Sequence, residues 1–230
     1  MEANKFINPI ANPFQHYWIE NFLSQEQYQK IIDIKNRSDF NAVGDSSRAS
    51  VSLGHSDYLD QVAESFIIND KTKSILTDVF WPSITYQYPK ATKEDVIKTA
   101  WVEGMIVKDT EGYEMPPHQD GGSFIVGYAQ LFLAEETDDY HGIVLHRSLD
   151  PERKMDMTKA THIDTQGDEY DKFYKDHQTE AVVTYPYQKN CLYALGCDDT
   201  TWHEVNKVKP NFERYSAIWQ LYWNERGQFV

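Results

Sequence analysis

The sequence predicts an α+β fold: a double-stranded β-helix (jelly-roll) core with N-terminal helices packed on the major sheet. Two observations carry this. Up to about residue 98 the apolar residues recur at helical spacing, and from about residue 99 the period changes to two, with turns rich in Pro, Gly and Asp between the segments. Helices followed by a run of strands make an α+β arrangement, and strands in that number close as a jelly-roll whose mouth is a natural ligand site.

The elements follow in order. An irregular arm over 1–16 leads into a short strand at Tyr17-Trp18-Ile19. Ser24 stands three residues before Gln27, a capping-box signature, and Tyr28, Ile31 and Ile32 continue a helix over 24–36. The Ser-, Asp-, Asn- and Gly-rich stretch 37–56 reads as a loop. A second helix is predicted over 57–68, with Leu59, Val62, Ala63 and Phe66 on one face, and a third from Lys71 to Phe80, ended by Pro82. Strands are predicted at 99–108, 123–134, 142–147, 179–185, 190–196, 201–208 and 213–224. The polar stretch 148–178 is an insertion with a short helix near 169–176. The whole of 1–230 is expected to form one domain, with 1–98 as helical support and 99–230 as the core.

Composition narrows the function. The net charge is −14 and no basic run appears, so a nucleic-acid partner is disfavoured and a small-molecule or peptide substrate favoured. The two cysteines, Cys191 and Cys197, lie in one apolar segment and make a poor disulfide framework, which fits a reducing cytoplasm. The N-terminus has no apolar leader, and no run is long enough to cross a membrane, so a cytoplasmic protein is expected.

Three His-x-Asp sequences occur: His55-Ser56-Asp57, His118-Gln119-Asp120 and His162-Ile163-Asp164. Roughly one is expected by chance at this composition, so context must choose. His55 and Asp57 open the second helix, and His162 and Asp164 lie in the polar insertion. His118 is preceded by Pro116-Pro117, which stiffens the approach, and Asp120 is followed by Gly121-Gly122 and the apolar strand Phe124–Leu133. Residues i and i+2 on a strand point the same way, so His118 and Asp120 can supply one imidazole and one carboxylate to a metal. His203 in Thr201-Trp202-His203-Glu204-Val205 is the candidate second imidazole. A lone strand His is more often structural, but Arg214-Tyr215-Ser216 follows eleven residues later. Arg214 and Ser216 share a strand face, where a guanidinium can grip a carboxylate with two parallel hydrogen bonds and a hydroxyl can add a third.

The order His-x-Asp, a long gap, His, then Arg-x-Ser resembles the Fe(II)/2-oxoglutarate-dependent dioxygenase superfamily. The Gly112-Tyr113 step, the Trp202-His203 pair and the opening Tyr17–Ser24 are similar to its prolyl-hydroxylase-like branch. The resemblance implies Fe(II) held by His118, Asp120 and His203, with 2-oxoglutarate and O2 as co-substrates and Arg214 and Ser216 on the distal carboxylate. It also implies hydroxylation of a C–H bond of a peptidyl residue or a small amino-acid-like substrate, with release of succinate and CO2. Halogenating relatives lack the carboxylate, so Asp120 implies hydroxylation. That branch carries a tyrosine on the strand after His-x-Asp. Here the strand reads Gln130-Leu131-Phe132-Leu133, and Tyr128 or Gln130 is the substitute. Tyr113, Arg147 and Trp202 are candidate substrate contacts, with His141 and His146 beside them. Residues 37–56 and Trp81–Asp95 are expected at the rim. Two other classes share these metal ligands: a cupin-type jelly-roll metalloprotein without oxygenase activity, and a nucleobase oxygenase.

Overall fold

A computed structural model describes residues 5–43, 45–52, 70–120, 124–153 and 176–224. Helix α1 (Gln25–Arg37) starts where the sequence predicts it. The Gln27 amide donates to Ser24 Oγ at 3.2 Å and the Ser24 amide to Gln27 Oε1 at 3.1 Å, closing the capping box. Tyr28, Ile31 and Ile34 form its buried face.

Helix α2 (Asp70–Gln87) runs past its predicted end, with Pro82 inside it. A proline within a helix removes one hydrogen bond and costs about 3 kcal/mol. Burying one large apolar side chain contributes roughly 1.5–3 kcal/mol. Phe80 and Ile84 flank the proline, both at most 2% exposed, so packing outweighs the local penalty. Helix α3 (Lys93–Thr99) was not predicted. Its signal is Thr92, whose Oγ accepts from the Asp95 amide at 3.1 Å. The stretch 81–95, expected at the rim, instead ends α2 and begins α3, and Tyr88 packs edge-on against Trp223 in the helix-facing core. The helices predicted at 57–68 and near 169–176 lie outside the described residues, apart from 176 itself.

The described residues hold eleven strands: β1 (His16–Ile19), β2 (Asn41–Val43), β3 (Asp45–Ser52), β4 (Trp101–Asp109), β5 (Met115–His118), β6 (Ile125–Phe132), β7 (Asp138–Ser148), β8 (Thr179–Tyr187), β9 (Leu192–Gly196), β10 (His203–Val205) and β11 (Arg214–Tyr222). They build a seven-stranded sheet, β1-β9-β6-β11-β4-β3-β2, and a four-stranded sheet, β5-β10-β7-β8. Every pairing is antiparallel. This is a jelly-roll of two unclosed sheets. The N-terminal support therefore contributes three strands as well as helices.

The stretch 37–56, expected as a loop, holds β2 and β3. Its polar composition hides an alternation: Ala49 and Val51 sit opposite in phase to Arg48, Ser50 and Ser52, and pairing with β4 supplies the ladder. β5, another unpredicted strand, tolerates Pro116 and Pro117 because it is at the edge of its sheet.

Two cores result. The described helices join the core on one face of the large sheet through Ile31, Ile34, Leu76, Phe80, Ile84 and Val96, with Val126, Ala129, Leu131, Ala217 and Trp219 of the strands. Between the sheets lie Phe132, Ile143, Leu145, Tyr187, Tyr193 and Leu195. Gly127 and Gly196 are cross-strand partners beneath α2. A Cβ on Gly127 would stand 1.9 Å from the Phe80 ring, and one on Gly196 would stand 1.9 Å from Ser83 Oγ. Their missing side chains let the helix settle on the sheet. Replacing Gly127 with Ala forces the Phe80 ring aside and should lower unfolding free energy by about 1–3 kcal/mol in urea titrations.

Candidate metal centre

The small sheet sets the centre. β10 pairs with β5 so that His203 and His118 are direct partners across the ladder, with ring centroids 4.3 Å apart. Asp120 follows two residues after His118. Its Oδ1 lies 3.3 Å from His118 Nε2, and its Oδ2 lies 3.3 Å from His203 Nε2. One ligand atom from each of the three side chains falls within 4.8 Å of the others.

The backbone orients both imidazoles alike. His118 Nδ1 lies 2.9 Å from the Pro116 carbonyl, and His203 Nδ1 lies 3.1 Å from the Thr201 carbonyl. A carbonyl can only accept, so each Nδ1 carries the proton and donates it. Each Nε2 is turned toward Asp120, and in the neutral imidazole its lone pair would be the one offered to a divalent metal. Burial opposes the charge on Asp120, but His203 and His118 beside it hold its carboxyl far below the ordinary range. Burial alone would push the His203 imidazole down, yet Asp120 and the Thr201 carbonyl more than offset this and its pKa is raised. Two imidazoles and one carboxylate brought together form the donor set of a facial non-haem iron site, and these residues fit that group.

The facing strands of the large sheet complete the cavity. Tyr128 stands with its ring 6.4 Å from His203, and its hydroxyl donates to Gln130 Oε1 at 3.2 Å. Gln130 Nε2 donates to Ser216 Oγ at 2.8 Å. Tyr193, the cross-strand partner of Gln130, is fully buried, and its hydroxyl has no hydrogen-bond partner among the described residues.

Arg214 lies on the same face as Ser216, as predicted, but its nearest carboxylate is one that sequence reasoning missed. Its Nε and Nη2 donate to Asp109 Oδ2 at 3.0 and 2.7 Å, and Nη1 donates to the Gly142 and His141 carbonyls at 3.2 and 3.4 Å. Asp109 also accepts from Arg48 Nε at 2.6 Å and Nη2 at 3.0 Å. Burial disfavours the Asp109 charge, but the two guanidinium groups more than compensate and its pKa is lowered. The available signals were slight: an acid ending an apolar strand, and one arginine in a Ser-rich run.

Two predicted substrate contacts do not reach the cavity. Trp202 alternates away from His203, is 1% exposed and stacks on His177 with centroids 4.2 Å apart. Arg147 follows an irregularity in β7 between Leu145 and His146, and reaches outward to Glu180 at 3.0 Å and Asn12 at 3.1 Å. His141 stacks on Phe212 and is bonded to Asp138, and His146 bonds Thr179. The Tyr113 ring packs with Val205 and Val208, and its centroid lies 4.1 Å from the Arg48 guanidinium carbon. The other two His-x-Asp sequences lie outside the described residues.

Neither a protein-family model nor a curated protein sequence matches the chain. Solved structures do. An oxidoreductase of the 2-oxoglutarate–Fe(II) oxygenase family from Burkholderia pseudomallei superposes with a TM-score of 0.54 at 12% identity, over 90% of this chain and 84% of the other. The fold is that of the 2-oxoglutarate/Fe(II) oxygenases. A Pseudomonas putida prolyl-4-hydroxylase superposes with a TM-score of 0.53 at 13% identity, over 97% and 100% of the two chains. HygX from Streptomyces hygroscopicus, solved with nickel and 2-oxoglutarate bound, gives 0.51 at 8% identity over 91% and 83%. At 8–13% identity these likenesses are ones of fold.

Two predictions follow from the charges. Metal binding requires neutral imidazole, so affinity for Mn(II) should fall as pH drops through the raised His203 pKa, losing about tenfold per unit below it in calorimetric titrations. Removing Asp109, by Asp109→Ala, leaves the buried Arg214 guanidinium and the half-buried Arg48 beside it uncompensated and should cost about 3–5 kcal/mol in urea unfolding. The wild-type contribution of Asp109 is present above its ordinary pKa of 3.8 and is lost as pH falls through the lowered native value.

Proposed function

We propose that the chain is an Fe(II)- and 2-oxoglutarate-dependent dioxygenase that hydroxylates a C–H bond of a peptidyl residue or a small amino-acid-like substrate. The observation that carries this reading is the convergence of His118, Asp120 and His203 between the two sheets, with both imidazoles turned Nε2-inward. Bound iron and 2-oxoglutarate supply the oxidising chemistry, with succinate and CO2 as products.

The chain's own residues set the stage for it. His118, Asp120 and His203 would hold the metal, their three ligand atoms lying within 4.8 Å of one another. The basic cluster of Arg214 and Arg48 would supply the charge for the distal carboxylate of the oxo acid, and the hydrogen-bonded Tyr128, Gln130 and Ser216 would form a polar wall of the site. Tyr113 closes the side nearest β10 and is the retained candidate for substrate contact. The aromatic and aliphatic surroundings exclude water and strengthen each charge inside.

A peptide or amino-acid-like substrate is supported by the shared fold with prolyl hydroxylases. The overall charge of −14 argues against nucleobase chemistry on a polyanion, and a cupin-type metalloprotein has no use for a buried basic cluster opposite the metal. A reducing compartment is supported by Cys191 and Cys197, both buried and free. No helix among the described residues is long and apolar enough to cross a membrane.

Adding 2-oxoglutarate to the Fe(II)-loaded protein without oxygen should produce the visible charge-transfer band of a chelated oxo acid. The band should be lost in His203→Ala. With oxygen admitted, succinate should form in the wild type and fall to background in Asp120→Ala. Undiminished succinate from that variant would refute the metal assignment.

A further inference from the structure

One buried network lies outside the metal centre and outside the basic cluster. It crosses the inner face of the large sheet strand by strand, from β6 through β9 to β1 at the sheet's edge. Tyr128 on β6 has its ring 6.4 Å from the His203 ring. Tyr193 on β9 pairs with Gln130, two residues from Tyr128, and such diagonal neighbours are within reach of aromatic side chains. On β1 the His16 ring lies 6.5 Å from Tyr193, and Trp18 is the direct strand partner of Tyr193. Tyr185 reaches over from β8, the edge strand of the small sheet. It stacks on Trp18 with ring centroids 4.4 Å apart and planes 8° from parallel.

The hydrogen bonds at the outer end have a fixed direction. His16 Nδ1 lies 2.9 Å from the Phe14 carbonyl, which can only accept, so Nδ1 carries the proton. Nε2 therefore accepts from the Tyr185 hydroxyl at 2.8 Å. His16 is fully buried, and burial lowers its pKa, which keeps the imidazole neutral and able to take a proton. A phenol that loses an electron becomes a strong acid, and an unpaired charge inside a core is costly. The His16 lone pair removes this obstacle for Tyr185, because the proton can leave with the electron along a bond already made. Filling the core needs neither the hydroxyl nor the imidazole. Tyr193 and His16 are sealed, whereas Trp18 and Tyr185 are half-buried, so the series runs from the interior to the common edge of both sheets.

We propose that Tyr128, Tyr193, Tyr185 and Trp18 form an exit path for electrons that discharges an oxidised metal centre when no substrate is present, with His16 as the proton acceptor of Tyr185. This rests on the oxygenase reading above for the source of the oxidising equivalent. One electron passes from Tyr185 through Tyr193 and Tyr128 to the metal centre, which is reduced by one step. The Tyr185 O–H proton passes to His16 Nε2, leaving a neutral phenoxyl radical. Trp18 then returns an electron across the stack, Tyr185 takes its proton back from His16, and oxidised Trp18 releases its indole proton to solvent. A thiol in solution restores Trp18 by giving up a hydrogen atom, and two thiyl radicals so formed combine as a disulfide. Oxidation is thereby spent at the surface and not on the metal's own ligands.

The test is freeze-quenched electron paramagnetic resonance of the Fe(II)-loaded protein without substrate, after each of two oxidants: oxygen with 2-oxoglutarate, and hydrogen peroxide alone. A tyrosyl signal should form in the wild type, and peptide mass spectrometry should find Trp18 as the main site of added oxygen. Tyr185→Phe keeps the stack on Trp18 and removes only the hydroxyl. It should lower both the tyrosyl signal and Trp18 oxidation several-fold, shift added oxygen to Tyr128, and leave the rate of succinate formation unchanged. Tyr193→Phe removes a hydroxyl that has no partner among the described residues, so it should fold and should also protect Trp18. Absence of a tyrosyl signal with both oxidants, or equal Trp18 oxidation in the wild type and both variants, would overturn the proposal. A tyrosyl signal with peroxide that Tyr185→Phe diminishes, without succinate from 2-oxoglutarate, would support the path and overturn the oxygenase reading.

Discussion

The antiparallel pairing of β10 with β5 is the constraint on which the site depends. It sets His203 directly opposite His118, with Asp120 two residues beyond, although the two histidines are far apart along the chain. Each imidazole is then rotated by its own strand, because the carbonyl two residues earlier takes the Nδ1 proton. The same local device, used twice, turns both Nε2 atoms to one point. The edge position of β5 makes this compatible with two consecutive prolines, which have no N–H to leave unpaired there.

The large sheet answers with a second buried polar group, the Arg48–Asp109–Arg214 rung. Taking charges from water is costly, and a buried ion pair with one partner missing is worse than none. Here Asp109 satisfies two guanidinium groups and is sealed completely, so the rung is stable as a unit while keeping one net positive charge inside the cavity. Metal ligands and basic rung thus come from opposing sheets, and Tyr128, Gln130 and Ser216 link the two polar ends. Helices α1 to α3 do not enter this cavity. They cover the other face of the large sheet, and α2 can lie close only because Gly127 and Gly196 leave room for Phe80 and Ser83.

Most departures from the sequence reading have one cause, the weight of tertiary packing over local preference. Pro82 reads as a helix end, but Phe80 and Ile84 are buried on either side of it and keep the helix going. A Ser- and Asp-rich run reads as loop, but a free ladder on β4 makes it a strand. Trp202 and Arg147 adjoin residues that face the cavity, and alternation in one case and a pairing irregularity in the other send them elsewhere.

By itself the sequence determined the jelly-roll class and the α1 cap, and it named His118, Asp120, His203 and Arg214 as candidates for one site. These rest on period, on capping residues and on spacing within single strands, all of them local quantities. The tertiary structure alone decided that Arg214 is already engaged by Asp109, that Arg48 from the N-terminal strands reaches the same cavity, and that the polar wall is Tyr128, Gln130 and Ser216. Those facts depend on which strands become neighbours and in which register. Such long-range pairing leaves no periodic trace in any one segment of the chain.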